Sequence, residues 1–218
     1  MHVYAGAHIR SDSIKYARAV EETTMARTNI SIDEGVFEVL SSEAKRTNKT
    51  LFAFANEALS VVSKISSEGG DPQGLYGLWT AITVLKQVDV ITLPSDFVDD
   101  LVAKEYASDK QGTLKMFSDL GSSLVGVLKI AAADIDQLAE LGQDFALLLP
   151  LKRLKVGKGK DGGNQIEISI VGAGRRIEST ECSFAFLQAI LNGYGYTVTE
   201  HEINTGTIIA SASKRGHA

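Results

Sequence analysis

The chain has 218 residues, of which 44% are hydrophobic, so it can bury one large core or two ordinary ones. No run approaches the roughly 18 apolar residues of a membrane span, the first residues lack a secretory signal pattern, and the single cysteine, Cys182, excludes an internal disulfide and a cysteine-based zinc site. We therefore expect a cytoplasmic protein, and its net charge of −5 argues mildly against nucleic acid as a partner.

The charged residues are unevenly distributed. Residues 1–66 carry 8 basic and 8 acidic side chains, residues 67–150 carry 5 and 13, and residues 151–218 carry 9 and 6. The acidic middle segment is unsuited to contact with DNA, because neutralisation of phosphates supplies most non-specific affinity. Neutrality of the first segment is a milder argument against DNA binding there.

Residues 1–26 are predicted to form an N-terminal arm of polar, weakly helical sequence. Three basic residues in it, Arg10, Lys15 and Arg18, could follow a phosphate backbone, as the arms of some DNA-binding proteins do. The alternative is a loosely ordered lead-in with no role of its own.

Residues 27–32 alternate in polarity, which predicts a short β-strand with Arg27, Asn29 and Ser31 on its polar side. Nothing within residues 27–66 offers this strand a sheet. Its backbone N–H and C=O groups therefore stay unpaired until a second copy of the chain lies beside it. The resulting two-stranded antiparallel ribbon would present the three polar side chains outward.

Two helices, at residues 34–46 and 51–66, are predicted to follow. Asp33 and Thr50 are suited to cap their N-termini, and Asn48 tolerates the left-handed conformation of the turn between them. Each helix has an apolar stripe at three- and four-residue spacing, which four helices of a dimer would bury together. The stripes comprise Val36, Val39, Leu40 and Ala44 in the first helix and Leu51, Phe54, Ala55, Ala58, Leu59, Val62 and Ile65 in the second.

This succession of strand, capped helix, small turn and hydroxyl-capped helix resembles the ribbon-helix-helix DNA-binding repressors of the Arc/MetJ type. The resemblance implies a dimer whose ribbon enters the major groove of double-stranded DNA. It implies that Arg27, Asn29 and Ser31 contact base edges, and that backbone N–H groups near Lys49 and Thr50 hold a phosphate. Two departures are the 26 residues before the strand and Asn48 where family members often have glycine. A plain helical hairpin is the alternative.

The segment SSEGGDPQG, which contains no apolar residue, predicts a domain boundary at residues 66–73. Residues 74–150 then show mainly helical periodicity. A short β-branched run at residues 88–93 indicates either a strand or an extended joint. Ser95 is predicted to cap one helix, and Asp134 is predicted to begin another.

The last third predicts an α+β domain with a small antiparallel sheet, because two alternating segments, a helix and two further alternating segments follow one another. Its ending resembles the 4-vinyl-reductase/haem-nitric-oxide-binding sensor superfamily in its helix–strand–strand order and in the apolar letters of FLQAIL, residues 186–191. That resemblance implies a domain that receives a small apolar signal. We therefore assign residues 74–218 to an assembly or sensor domain.

No segment carries a recognised catalytic motif. VGAGRR, residues 171–176, lacks the third glycine of a dinucleotide fingerprint and is interpreted as a tight turn, from which Arg175 and Arg176 could hold an anion or an acidic helix of a partner. Cys182 lies beside acidic residues that disfavour a thiolate. The four histidines, His2, His8, His201 and His217, have no metal-ligand spacing.

The sequence thus predicts a dimeric transcriptional regulator that binds double-stranded DNA, with no cofactor, metal, membrane association or catalysis and with a possible small-molecule effector. One alternative is a dimeric interaction or sensor protein that does not bind DNA and whose C-terminal α+β domain takes a small ligand. The other is an enzyme with an unrecognised site in the C-terminal half, which would require convergent polar groups in an enclosed pocket.

Overall fold

The computed structural model describes residues 29–159 and 164–216, and these form a mixed α+β chain. Two compact units divide between Glu57 and Ala58, within a helix, rather than at the glycine-rich segment of residues 66–73. In chain order the elements are α1 (Glu34–Arg46), α2 (Leu51–Ser67), α3 (Pro72–Lys86), α4 (Ser95–Ser108), α5 (Lys110–Ala131), α6 (Ile135–Ala146), β1 (Arg153–Lys158), β2 (Gln165–Val171), α7 (Ile177–Gly193), β3 (Tyr196–Asn204) and β4 (Thr207–Lys214).

Local capping hydrogen bonds mark the start of α1, the turn between α1 and α2 and the start of α2. The Asp33 carboxylate accepts a hydrogen bond from the N–H of Gly35 at 2.8 Å. Asn48 has φ 56°, and the N–H of Lys49 donates back to the carbonyl of Ala44 at 2.8 Å, which closes α1 in a left-handed turn. The Thr50 hydroxyl accepts from the N–H of Ala53 at 3.1 Å. The two predicted helices and their caps are confirmed.

The predicted strand at residues 27–32 lies partly outside the described residues, which exclude Arg27 and Thr28. Residues 29–32 belong to no helix and no strand in this single chain, and their side chains are exposed. A ribbon is defined by hydrogen bonds to a second chain, so the intersubunit ribbon stays a prediction.

Four helices build the first part of the second unit. Asp71 caps α3 by accepting from the N–H groups of Gln73 at 3.0 Å and Gly74 at 3.2 Å, and Asp134 caps α6 through the N–H of Gln137 at 2.9 Å, as its sequence predicts. Ser95, by contrast, is the first residue of α4 and not its cap, because Pro94 occupies the cap position without a side-chain hydrogen bond. Residues 88–93 form no strand: Val88 and Asp89 lie in a turn, and residues 90–93 belong to no helix or strand.

The C-terminal sheet has four antiparallel strands in the order β1-β2-β4-β3. This confirms the predicted α+β class. Alternate residues of each strand point to one face, so a single apolar face forms and α7 covers it. The core between them contains Ile166, Ile168, Ile170, Phe184, Leu191, Tyr196, Ile208, Ala210 and Ala212.

Helix α7 packs against the sheet on one side and against α5 on the other. The two helices approach closely at Gly121, where a Cβ atom would lie 2.5 Å from the carbonyl oxygen of Phe186. A second buried cluster around Val84, Leu128, Leu141 and Ile190 joins residues of α3, α5, α6 and α7.

The loop between β2 and α7 confirms that VGAGRR is a tight turn. Gly172 and Gly174 have φ values of 97° and 121°, and the N–H groups of Gly172 and Ala173 donate to the carbonyl of Gly206 at 2.7 and 3.1 Å. The N–H of Gly206 in turn donates to the Thr180 hydroxyl at 2.9 Å. The glycines therefore serve to join the β3–β4 hairpin to the start of α7.

Arg175 and Arg176 hold an acidic helix of their own chain. The guanidinium of Arg176 donates to Asp100 at 2.6 Å, and that of Arg175 pairs with Asp96. The backbone N–H of Arg175 donates to the buried carboxylate of Asp99 at 3.1 Å. These contacts fasten α4 to the glycine loop.

Candidate functional site

The residues predicted to contact DNA occupy the start of the described chain and the turn between α1 and α2. Asn29 and Ser31 are exposed, two residues apart, on the segment that precedes α1. Arg27, the third predicted base-reading residue, lies outside the described residues. Lys49 and Thr50 are exposed at the N-terminus of α2.

The turn limits which groups are available to a phosphate. The N–H of Lys49 already donates to the carbonyl of Ala44, and its ammonium group pairs with Glu57. The Lys49 N–H is therefore already paired inside the hairpin, whereas the first turn of α2 has a helix dipole that favours an anion. The phosphate contact near Lys49 and Thr50 stays a prediction.

The hairpin leaves much apolar surface uncovered in a single chain. Ala44 is buried, and Leu40, Leu51, Phe54, Ala55 and Ile65 are half-buried. The remaining residues of the two stripes stay open, and no residue of α2 is fully buried. Exposed members include Val36 at 51%, Val39 at 63%, Leu59 at 48% and Val62 at 39%. Surface of this kind usually marks an interface.

The second unit contains a cavity of about 380 Å³ between α7, the covered face of the sheet and the helices α3, α5 and α6. The first group of lining residues comes from the helices and the joint after α3: Val84, Leu85, Val88, Val90, Leu124, Val127, Leu128, Ile135, Leu138, Ala139, Gly142 and Phe145. The second comes from the sheet, α7 and the segment before β1: Leu149, Leu151, Leu154, Val156, Ile168, Ile170, Ala173, Ser183, Phe186, Leu187, Ile190, Leu191 and Ile208.

The cavity is suited to an apolar occupant. Within the described parts of the chain its lining includes one polar side chain, that of Ser183, and no charged one. Val90 and Leu149 line it and are 54% and 48% exposed, so the cavity reaches the surface beside the joint that follows α3. Asp89 in that joint has φ 50°, a conformation that few non-glycine residues adopt.

A polar cluster lies elsewhere in the same unit, where α4, α5 and α7 meet. The Glu181 carboxylate accepts a hydrogen bond from the Tyr106 hydroxyl and pairs with the Lys110 ammonium group at 2.9 Å. The Tyr106 hydrogen bond and then the Lys110 contact lower the pKa of Glu181, while burial is the main cause that raises the pKa of Tyr106. The three side chains bind one another, so the role of the cluster is to join α4, α5 and α7.

The side chains of Cys182 and His201, which could take part in chemistry, pack against other residues of the chain. Cys182 is fully buried, and burial together with Glu181 and Glu178 raises the pKa of its thiol to about 11, which agrees with the prediction that it is no nucleophile. His201 stacks on Phe184, with ring centroids 4.5 Å apart. Residues 29–159 and 164–216 contain no group of three or more side chains able to hold a metal ion, and His2, His8 and His217 lie outside them.

Sequence reasoning missed the cavity. Its lining residues belong to apolar stripes that were assigned to the core, and a stripe facing a void has the same periodicity as one facing a packed neighbour. The one available signal was the resemblance of FLQAIL to sensor domains, since Phe186, Leu187, Ile190 and Leu191 all line the cavity.

No single helix in the described part of the chain is both long and apolar enough to cross a membrane. Helices α5 and α6 together are long and apolar enough, but they meet at an angle of 102°.

Comparison of the chain with protein-family models, with curated proteins and with solved structures finds no match.

Proposed function

We propose that the chain is a sequence-specific DNA-binding transcriptional regulator that acts as a dimer in the cytoplasm. The observation that carries this proposal is the α1–α2 hairpin, whose capped ends fall where the ribbon-helix-helix resemblance requires and whose apolar stripes stay exposed in one chain. A second copy would bury those stripes and pair the two segments at residues 27–32 into a ribbon. Arg27, Asn29 and Ser31 would then face the major groove.

The net charge of residues 1–66 affects how strongly the protein should bind DNA of any sequence. Residues 1–66 are neutral overall, so non-specific attraction to DNA is weak and base contacts provide much of the discrimination. Arg10, Lys15 and Arg18 of the N-terminal arm would add phosphate contacts. The acidic residues 67–150 would stay away from the duplex.

The test is selection of bound fragments from random duplex DNA by the full-length protein, followed by affinity measurements on the recovered site. Replacement of Arg27 or Asn29 by alanine should weaken binding to that site by roughly 5- to 150-fold, because one good base contact is worth about 1–3 kcal/mol. The dimer should persist, since neither residue belongs to the apolar stripes.

Ser42→Ala is the matched control, because this exposed serine lies on α1 outside the predicted ribbon. It should leave affinity unchanged. Failure to enrich any sequence, or an affinity that does not fall as salt is raised, would contradict the proposal.

A second function is supported by the cavity: we propose that the C-terminal unit binds a small apolar molecule. A volume of about 380 Å³ lies within the range of small-molecule sites, and apolar cavities of smaller size bind hydrocarbons in water. This proposal holds whether the ligand acts as an effector of DNA binding or the protein is a sensor that does not contact DNA.

Filling the cavity tests this second function. Ala139→Phe places a ring in the cavity, so it should abolish the fluorescence that the wild-type protein induces in N-phenyl-1-naphthylamine, an apolar probe. Ala107→Phe, at an exposed position of α4, is the control and should keep the signal. Equal probe fluorescence from both variants would show that the probe binds elsewhere.

A further inference from the structure

Ser183 contributes the one polar side chain of the described cavity lining. Serine and threonine inside helices usually donate to the carbonyl one turn earlier. Thr180 donates to Arg176 at 2.9 Å, Thr113 to Asp109 at 2.7 Å and Ser122 to Ser118 at 3.0 Å. The structure as described records no hydrogen bond for the Ser183 hydroxyl.

Ser183 is half-buried and lines the cavity, so its hydroxyl is accessible to a partner that enters there. The other residues of α7 that line the cavity are apolar: Phe186, Leu187, Ile190 and Leu191. Ser183 is therefore the side chain of α7 with which an occupant of the cavity can form a hydrogen bond.

The charge of the lining restricts that partner further. No lysine, arginine or histidine of the described chain lines the cavity, so a carboxylate or phosphate inside it would be an unpaired buried ion. Equally, no acidic side chain lines it to balance an amine. A neutral hydroxyl or carbonyl group avoids both penalties and can pair with a serine hydroxyl, which both donates and accepts.

The volume sets the size of the occupant. An engineered cavity of about 150 Å³ holds benzene, so by simple scaling about 380 Å³ accommodates ~15 non-hydrogen atoms. That is the size of a medium-length aliphatic alcohol, a ketone or a small terpenoid.

We propose that the cavity binds a neutral, mostly hydrocarbon molecule with one hydroxyl or carbonyl group, and that the Ser183 hydroxyl forms the hydrogen bond that selects this group. The proposal rests on the ligand-binding function given above and names its ligand class. Ser183 is thus a specificity-determining residue, while the aliphatic and aromatic lining supplies most of the affinity.

The experiment is displacement of N-phenyl-1-naphthylamine from the full-length protein by three probes of equal chain length: dodecane, 1-dodecanol and, at neutral pH, dodecanoate. The wild-type protein should bind 1-dodecanol and should bind dodecanoate much more weakly. Ser183→Ala should weaken 1-dodecanol binding by roughly five- to tenfold, the value of one hydrogen bond, and leave dodecane binding unchanged. Ser183→Thr keeps a hydroxyl at this position and should bind 1-dodecanol in preference to dodecane, as the wild type does.

Ser179→Ala is the matched control. Ser179 lies one turn earlier on α7, its hydroxyl is buried without a hydrogen-bond partner in the described structure, and it does not line the cavity. This variant should bind all three probes like the wild type, and thermal melts should show that each variant is folded.

The outcomes separate the two proposals. If the folded protein binds neither the dye nor any of the three probes, the ligand-binding function itself is wrong. If the dye binds and 1-dodecanol does not displace it, the proposed class of ligand is wrong. If Ser183→Ala binds 1-dodecanol as tightly as the wild type does, the cavity binds apolar molecules but the role of Ser183 is wrong. If dodecanoate binds most tightly, the neutral class of the ligand is overturned.

Discussion

Glu181 illustrates how single residues join the helices of the second unit. Its carboxylate accepts from Tyr106 of α4 and pairs with Lys110 at the start of α5, while Glu181 itself belongs to α7. Tyr106 and Glu181 are 75 positions apart in sequence and come into contact only because α4 and α5 pack on α7. The residues next to Glu181 in the sequence therefore do not predict these partners.

The lowered pKa of Glu181 gives a pH-dependent prediction. Because its pKa is lower in the folded than in the unfolded protein, its contribution to stability is present above the unfolded value, near 4.5, and is lost as pH falls through the folded value. Glu181→Gln should lower the free energy of unfolding by about 1 kcal/mol at pH 7, a figure reduced for partial exposure. The difference in the free energy of unfolding between the variant and the wild type should shrink towards zero in acid.

Chemical denaturation of both proteins between pH 7 and pH 3 measures this difference. Glu140→Gln, at an exposed position of α6, is the control and should change stability little at any pH. A Glu181→Gln deficit that is constant with pH would show that lost packing, rather than the ionised carboxylate, is responsible.

At the scale of elements, α2 is the helix whose surroundings are incomplete. It has 17 residues, none of them buried, although an apolar stripe runs along it. An isolated amphipathic helix gains most of its stability from burying such a stripe. The hairpin therefore needs a further surface, which the proposed dimer would supply.

Leu59→Glu tests this requirement. A charge in the centre of a dimer interface is desolvated without a partner, so the dissociation constant of the dimer should rise by at least tenfold, as measured by sedimentation over a range of concentrations. Ser60→Glu introduces the same charge on the opposite face of α2 and should leave the dimer intact. A monomeric wild-type protein, or equal effects of both changes, would contradict the dimer.

The elements also differ in how far the sequence predicted them. The ends of α1 and α2 were predicted correctly because Asp33, Asn48 and Thr50 act on neighbouring backbone groups. The run at residues 88–93 has strand-like composition, but its first two residues lie in a turn and the rest belong to no helix or strand. Ser95 was expected to cap α4, yet Pro94 precedes it there and the helix begins without a side-chain cap.

For the whole molecule, the chain divides into a first unit that contains α1 and the start of α2 and a second unit with its own core and cavity. In the proposed function, residues 27–66, which extend across this division, serve DNA binding and the dimer, and the cavity of the second unit binds the ligand. The division falls within α2, so the glycine-rich segment at residues 66–73 separates two helices, α2 and α3, inside the second unit.

The sequence by itself determined the fold class, the succession of strands and helices in the last third, and the helix ends, because periodicity and capping are properties of neighbouring residues. Tertiary structure alone decided the strand order, the closeness of α5 to α7 at Gly121, the pairing of Arg175 and Arg176 with α4, and the cavity beside Ser183. These features depend on which distant surfaces meet. An apolar stripe specifies that it must be covered, but the shapes of all its neighbours decide whether it is covered fully or leaves a space for a ligand.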